Sequence, residues 1–480
     1  MTSPLRTIAG SLIPSLLRRS LFSTSQSFDL LSSSPNPNPD NDHNHLHECN
    51  PSKIELDYQH TDVVWEDGHS SSFLNAWLRD HCQCADCYDQ TTAQRSSDTL
   101  ALGPSSRVRS TQATTTSDGK LTVRIEYGDE CGECDESSKN TKRSSHECVF
   151  PLHWLRKHCY SSSGQEHRRQ KGHLQRYVWD SKELQQLSVE NNDSNSASLL
   201  LAGLPATPLR DLASKPGVLR DQLTRYGIAF VSDIEVPSGE QSVDKCKQIV
   251  HDTVRDYIGY PRETLWGNLW DTAVSEDASD TAYTNIALRP HVDCTYLRDP
   301  PELQVFLCAA ESEDATGGSS TFVDGFKVAE EIYNRSPEAF HFFCTTQLGF
   351  QCIQDGVNSV AYGTVFETDP GVSHPTPQDT RRFRYNNDDR SVLHYLSAKD
   401  VAKFYDYVPL LLELLRDDQY VLRTRLQKGT MAIVNNHRVL HGRDSFVGTG
   451  RNLVGCYAEM SESVLPYAVS APIPPPNNQL

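Results

Sequence analysis

No stretch of this sequence approaches the ~18 to 20 consecutive apolar residues that a membrane-spanning helix requires. A membrane is therefore not expected as a partner. Positive charge is also scarce: 45 Lys and Arg stand against 63 Asp and Glu, for a net charge of −18. Nucleic-acid backbones are held by Lys and Arg, so a chain this acidic is a poor match for one. Internal repeats are missing too, which sets solenoid folds aside. Acidic residues are absent before Asp29. The same segment carries Arg6, Arg18, Arg19 and many Ser, and Leu12, Ile13, Leu16, Leu17 and Leu21 suit one apolar helix face. That composition predicts a mitochondrial transit peptide over residues 1–28, and hence a matrix protein. A secretory signal is disfavoured because no long uninterrupted apolar core is present.

At 480 residues, with 37 % apolar and 22 % charged residues, the chain is expected to form two domains with sizeable cores. Residues 29–50 are polar and rich in Pro and Asn, the composition of a disordered linker. A small β-rich domain is expected over 51–165, with strands at Ile54 to Tyr58, Val63 to Trp65 and Leu121 to Tyr127. Residues 166–199 read as a second linker, 200–466 as the larger domain, and 467–480 as a Pro-rich tail.

In the larger domain Leu209 to Tyr226 and Val243 to Ile258 carry helical periodicity. Gly227 to Val231 reads as a buried strand, and Leu303 to Cys308, Ser320 to Val323, Ala432 to Val434 and Leu453 to Tyr457 read as further strands. Val401, Phe404, Tyr405 and Val408 suggest a helix that Pro409 interrupts. The fold class is mainly β with flanking helices, in a barrel or sandwich.

The chemistry gathers around YTNIALRPHVDCTYLRDPPELQVF, whose centre is His291-Val292-Asp293. Side chains two apart on an extended segment point the same way, so His291 and Asp293 can face one metal. An H-x-D alone is common by chance. It gains force from His441 in VLHGRDSF and from Arg451 ten residues later. Two His and one carboxylate on one face of a metal is the donor set of non-heme Fe(II) oxygenases. Arg451 would hold a co-substrate carboxylate in a bidentate fork.

The 14 cysteines are scattered, which argues for reduced thiols rather than a disulfide framework. Cys82, Cys84 and Cys87 nevertheless sit within six residues. Buried thiols of no special role are the bland reading, and a redox C-x-x-C lacks its βαβ surroundings. Three thiolates so close suit tetrahedral Zn(II) in a structural site. The fourth ligand is open among His146, Cys148, His153, Cys131 and Cys134.

Several motifs resemble one known family. They are WLRDHCQCADCYDQTTAQRSSDT, RYGIAFV, DTAYTNIALRPHVDCTY, TGGSSTFVDGF, RYNNDDR, RVLHGRDSF and GCY. Together they are similar to the carnitine-biosynthesis dioxygenases, which act on N6-trimethyllysine or γ-butyrobetaine. The resemblance runs from about residue 55 to about 465.

It implies a double-stranded β-helix (jelly-roll) oxygenase core behind an N-terminal zinc domain. It implies Fe(II), 2-oxoglutarate, O2 and L-ascorbate as cofactors and co-substrates, and a homodimer. The iron ligands become His291, Asp293 and His441, and the 2-oxoglutarate carboxylate falls to Arg451; apart from the resemblance, Ser320 in the GGSS turn is expected to assist. His437, in NNH, stands outside the family's L-H-G-R pattern. The family's zinc His precedes a W-L motif by eight residues, which selects His146 when counted from Trp154. Cys131 and Cys134 depart from the family pattern. So does Cys294, where a polar or aromatic residue is usual.

The substrate is expected to carry a quaternary ammonium, which has no N–H and is held by aromatic faces at about 0.5 to 2 kcal/mol per ring. The family's aromatic cage maps to Trp266, Trp270 and Tyr283, with Tyr457 nearby. Asn386 in RYNN is placed for the substrate's carboxylate end. Asp280 of DTAYT, together with the leader, favours N6-trimethyllysine, hydroxylated at C3; γ-butyrobetaine is the alternative. A sulfonate oxygenase of the same superfamily is disfavoured by the zinc domain and the cage. A dead scaffold is disfavoured by the intact triad and Arg451.

Overall fold

The computed structural model describes residues 50–460, apart from residues 83, 90, 100–106, 128–143, 175, 191–199, 202, 216, 240, 274–280, 312–315, 355 and 449–451. The expected leader, nearly all of the 29–50 linker, Cys131, Cys134, Asp280, Arg451 and the 467–480 tail lie outside the described residues. None of the described helices is long and apolar enough to cross a membrane.

Two sheets build the larger domain. The major sheet runs Gly259–Arg262, Asn452–Met460, Leu303–Ala310, Met431–Asn435, Ile228–Ser232, Leu204–Pro208 and Leu200–Leu201, with Trp270–Asp271 pairing off Asn452–Met460. The minor sheet runs Leu288–His291, Val439–Arg443, Ser320–Asp324 and Leu422–Thr424. Side-chain alternation sorts every long strand of the major sheet. Leu303, Val305, Leu307 and Ala309 pack with Val250, Val254 and Ile258 of the helix Ser242–Tyr257 and its end. Phe306 and Cys308 turn the other way, into a core shared with Phe322, Leu422 and Val439 of the minor sheet. Phe230 and Phe322 meet edge to face across that gap, ring centroids 6.2 Å apart. The result is the two-sheet β arrangement expected, with the site at the open end between the sheets.

Details depart from expectation. Leu209 to Tyr226 is not one helix but a 3-10 turn, Leu209–Ser214, and a helix, Val218–Tyr226. The break falls at Gly217, whose φ of +83° a side-chain-bearing residue rarely adopts. The helix Ala398–Leu414 runs straight through Pro409. Pro409 leaves the Tyr405 carbonyl without its helical N–H, but Tyr405 is 59 % exposed, so water can take the bond. Residues 166–199, expected as a linker, hold the end of the helix Ser162–Leu174 and the whole of Ser181–Glu190. Trp179 between them is fully buried, and its backbone N–H donates to Asp324. Asp324 in turn caps the helix Gly325–Arg335 and pairs with the buried Arg438 at 2.8 Å.

The smaller domain has two three-stranded sheets. One is Pro51–Leu56, His60–Trp65 and Ser70–Leu74; the other is Arg109–Thr115, Lys120–Tyr127 and Ser144–Pro151. Val63, Trp65, Phe73, Leu121, Val123, Ile125 and Phe150 form its core.

Candidate functional site

His291 closes the strand Leu288–His291, and in register it stands directly opposite His441 of Val439–Arg443. Their rings lie 4.6 Å apart, centroid to centroid. Asp293 follows just past the strand end. Its Oδ1 is 3.1 Å from His291 Nε2, and its Oδ2 is 3.7 Å from His441 Nε2. Metal–ligand bonds of about 2.1 Å at right angles place neighbouring donor atoms about 3 Å apart, so this spacing fits one ion.

The surroundings hold the three groups in place. His291 Nδ1 donates to the Arg289 carbonyl at 2.7 Å, which leaves Nε2 for a metal. His441 Nδ1 is buried with no hydrogen bond among the described residues, so its ring is set by packing, 5.2 Å from Phe306. Asp293 accepts from Tyr457 Oη at 2.8 Å and from Gln304 Nε2, and its backbone N–H donates to Asn436 Oδ1 at 2.8 Å. Burial opposes charge on Asp293, yet His291, His441 and Tyr457 together hold its carboxyl well below the usual range. Burial opposes charge on His291 as well, but the Asp293 partner outweighs it and raises the imidazole to about 9. Burial lowers His441 to about 3. His441 is thus a neutral imidazole, and a divalent metal bound here would displace the proton that Asp293 favours on His291, leaving two imidazoles and a carboxylate as its donors.

A cavity of about 340 Å³ opens onto the triad, lined on one side by Trp266, Trp270, Tyr283 and Tyr457. Trp266 and Tyr283 lie 6.3 Å apart, and Trp270 and Tyr457 lie 5.9 Å apart. Trp266 Nε1 donates to Tyr296 at 3.2 Å. Trp270 lies over Gly455, where a Cβ would come within 2.4 Å of the indole and 2.2 Å of the Val305 carbonyl. Ser320, Asn386 and Cys294 also line the cavity, and Cys294 adopts a left-handed backbone with φ +58°.

His437 is not brought to this cavity. Its Nε2 lies 2.9 Å from the Pro300 carbonyl, and burial lowers it to about 3.

Several residues here escaped sequence reading. Gln304 is the polar exception in the strand LQVFLCAA, on the site-facing side. Arg443, two residues beyond His441, donates to the carbonyls of Ala282, Thr284 and Ile286 and so anchors the segment that carries Tyr283. Its position in LHGR was a signal for that role.

In the smaller domain Cys82, Cys84, Cys87 and His146 converge. His146 Nε2 lies 3.3 Å from the sulfurs of Cys82 and Cys84 and 3.5 Å from that of Cys87. Tetrahedral Zn with bonds of about 2.3 Å to S and 2.0 Å to N spaces these atoms by about 3.5 Å. Arg79 donates to Cys87 Sγ at 3.1 Å, a cation beside the thiols. Cys148, two residues from His146 on the same strand, is fully buried, and hydrogen bonding with it draws the Cys82 thiol down to about 4.

The model of the taurine catabolism dioxygenase TauD, TfdA family matches residues 203–457, more than half of the chain. The chain belongs to that family and is a 2-oxoglutarate-dependent dioxygenase that uses iron and O2. A gamma-butyrobetaine hydroxylase-like N-terminal family matches residues 53–134. Trimethyllysine dioxygenase, mitochondrial, of Mus musculus is 29 % identical over 422 residues, covering 86 % of this chain and 87 % of the relative. The Homo sapiens protein of the same name is 29 % identical, covering 84 % and 82 %. Gamma-butyrobetaine dioxygenase of Pseudomonas sp. is 26 % identical, covering 83 % and 91 %.

Proposed function

We propose that this protein hydroxylates N6-trimethyllysine at C3 while 2-oxoglutarate is converted to succinate and CO2, the first step of carnitine biosynthesis. One observation carries the reading. The cavity that holds His291, Asp293 and His441 is walled by Trp266, Trp270 and Tyr283, and a quaternary ammonium has no better partner than aromatic faces. The mouse and human trimethyllysine dioxygenases support it by their similarity along most of the chain. The sister substrate, γ-butyrobetaine, is the second reading, favoured by the Pseudomonas relative.

Iron, held by His291, Asp293 and His441, supplies the activation of O2 when bound. The chain's own side chains do the rest. Arg289's carbonyl fixes the His291 tautomer, and Tyr457 with Gln304 keeps Asp293 ionised and aimed. Trp266, Trp270 and Tyr283 hold the cation at a set distance from the triad, so that one carbon faces the oxidant. Arg451 takes the far carboxylate of 2-oxoglutarate, Ser320 assists in binding it, and Asp280 adds attraction for the cation. L-Ascorbate sustains turnover, the chain works as a homodimer, and it resides in mitochondria.

Cys82, Cys84, Cys87 and His146 hold a structural zinc that closes a small domain with a limited core of its own. His291→Ala tests the triad: iron-dependent succinate formation should vanish, and retained turnover would contradict the assignment.

A further inference from the structure

The cavity mouth carries charges that neither the aromatic wall nor the triad uses. Arg289 and Asp388 both line the main cavity, and both line a small adjoining recess with Asn386. Both are exposed, and neither forms an ion pair among the described residues. A guanidinium and a carboxylate thus border one opening without neutralising a neighbour.

Asn386 lines the same cavity and recess and is only 9 % exposed. Its Oδ1 accepts the backbone N–H of Asp388 at 3.0 Å. That bond fixes which way the amide faces, because only the oxygen can accept. Nδ2 is left as a donor on the cavity side, with no hydrogen bond among the described residues. The turn bearing Asp388 is itself held. Thr295 donates to Asp389 Oδ2 at 2.7 Å, and the Asp389 carbonyl accepts from Gln351 at 2.8 Å.

Two donors and an acceptor at one rim match two groups of opposite charge on neighbouring atoms. An α-amino acid end has that pattern; a betaine end has only the carboxylate. We propose that Arg289 and Asn386 Nδ2 take the α-carboxylate of the substrate and Asp388 takes its α-ammonium. This rests on the trimethyllysine reading above and deepens it, by naming the residues that reject a substrate without an α-ammonium. The Arg289 carbonyl serves His291, but its side chain is separate from that duty.

The test uses the full-length iron-loaded enzyme with three substrates: N6-trimethyllysine, its Nα-acetyl derivative and its α-carboxamide. Each derivative removes one charge. KM should rise about tenfold for either derivative in the parent enzyme, the scale of one charge-assisted hydrogen bond. In Asp388→Asn the preference over the acetyl derivative should collapse to about onefold, while the preference over the carboxamide persists. Arg289→Gln should show the reverse pattern. KM for 2-oxoglutarate, read in the same variants, should not follow either change. Variants that keep the parent's preferences would overturn the inference and leave the trimethyllysine reading standing. So would a parent enzyme that turns over trimethyllysine and both derivatives with the same KM. A parent enzyme inactive on trimethyllysine would overturn both.

Discussion

Tyr457 donates its hydroxyl to Asp293 Oδ2 at 2.8 Å while its ring lies 5.9 Å from Trp270. One side chain thus joins the metal carboxylate to the aromatic wall. Tyr457→Phe keeps the ring and removes the bond. Iron affinity, measured by titration of the metal-free protein, should fall about tenfold, the usual scale for loss of an outer partner of a ligand. KM for the cation should change little. Unaltered iron affinity would mean that Gln304 alone suffices to hold Asp293.

Gly455 permits Trp270 to lie flat on the Asn452–Met460 strand. Gly455→Ala forces the indole or the Val305 carbonyl to move, at about 1 to 3 kcal/mol in stability. The displaced Trp270 should raise KM for the cation, within the roughly 2- to 30-fold that one ring contributes. Thermal unfolding and steady-state kinetics on the same variant check both.

Glu302 is buried, and burial raises its carboxyl from 4.5 to about 7. It accepts the Met460 N–H at 3.1 Å. Its pKa is higher folded than unfolded, so between these values the folded state holds more protons. Stability from this group is therefore full below about pH 4.5 and lost as pH rises through about 7. Glu302→Gln keeps an acceptor and removes the charge. Denaturant unfolding should show the variant more stable than the parent at pH 8 by up to about 3 kcal/mol, and nearly equal at pH 5. Equal stability at both pH values would contradict it.

Cys84 is the least buried of the three clustered thiols. Cys84→Ser should lose about one zinc per chain by metal analysis and make residues 51–158 the first segment cut by protease. Fully retained zinc would point to Cys148, on the strand that carries His146, as a replacement ligand.

How much of this was legible in the sequence depended on range. Leu303 to Cys308 was legible as a strand because a short apolar run is a local signal, whereas its two faces became visible only through what packs on each side. The triad was legible because H-x-D and L-H-G-R are short and chemically specific. The two motifs were brought face to face by strand pairing that no local pattern shows. Failures came where tertiary context outweighed local propensity. Pro409 reads as a breaker, yet solvent at Tyr405 lets the helix continue. Residues 166–199 read as a polar linker, yet Trp179 is anchored by Asp324, far along the chain. Gln304 and Asn436 act on the site only through contacts across strands, so nothing beside them in the sequence announces the role.

The central claim is tested most directly by offering the purified protein N6-trimethyllysine and γ-butyrobetaine separately, with Fe(II), 2-oxoglutarate and ascorbate. Succinate release and the mass of the hydroxylated product are the readouts. The account predicts stoichiometric succinate and a product heavier by one oxygen with trimethyllysine, at a kcat/KM well above that for γ-butyrobetaine. Turnover of γ-butyrobetaine alone would contradict it.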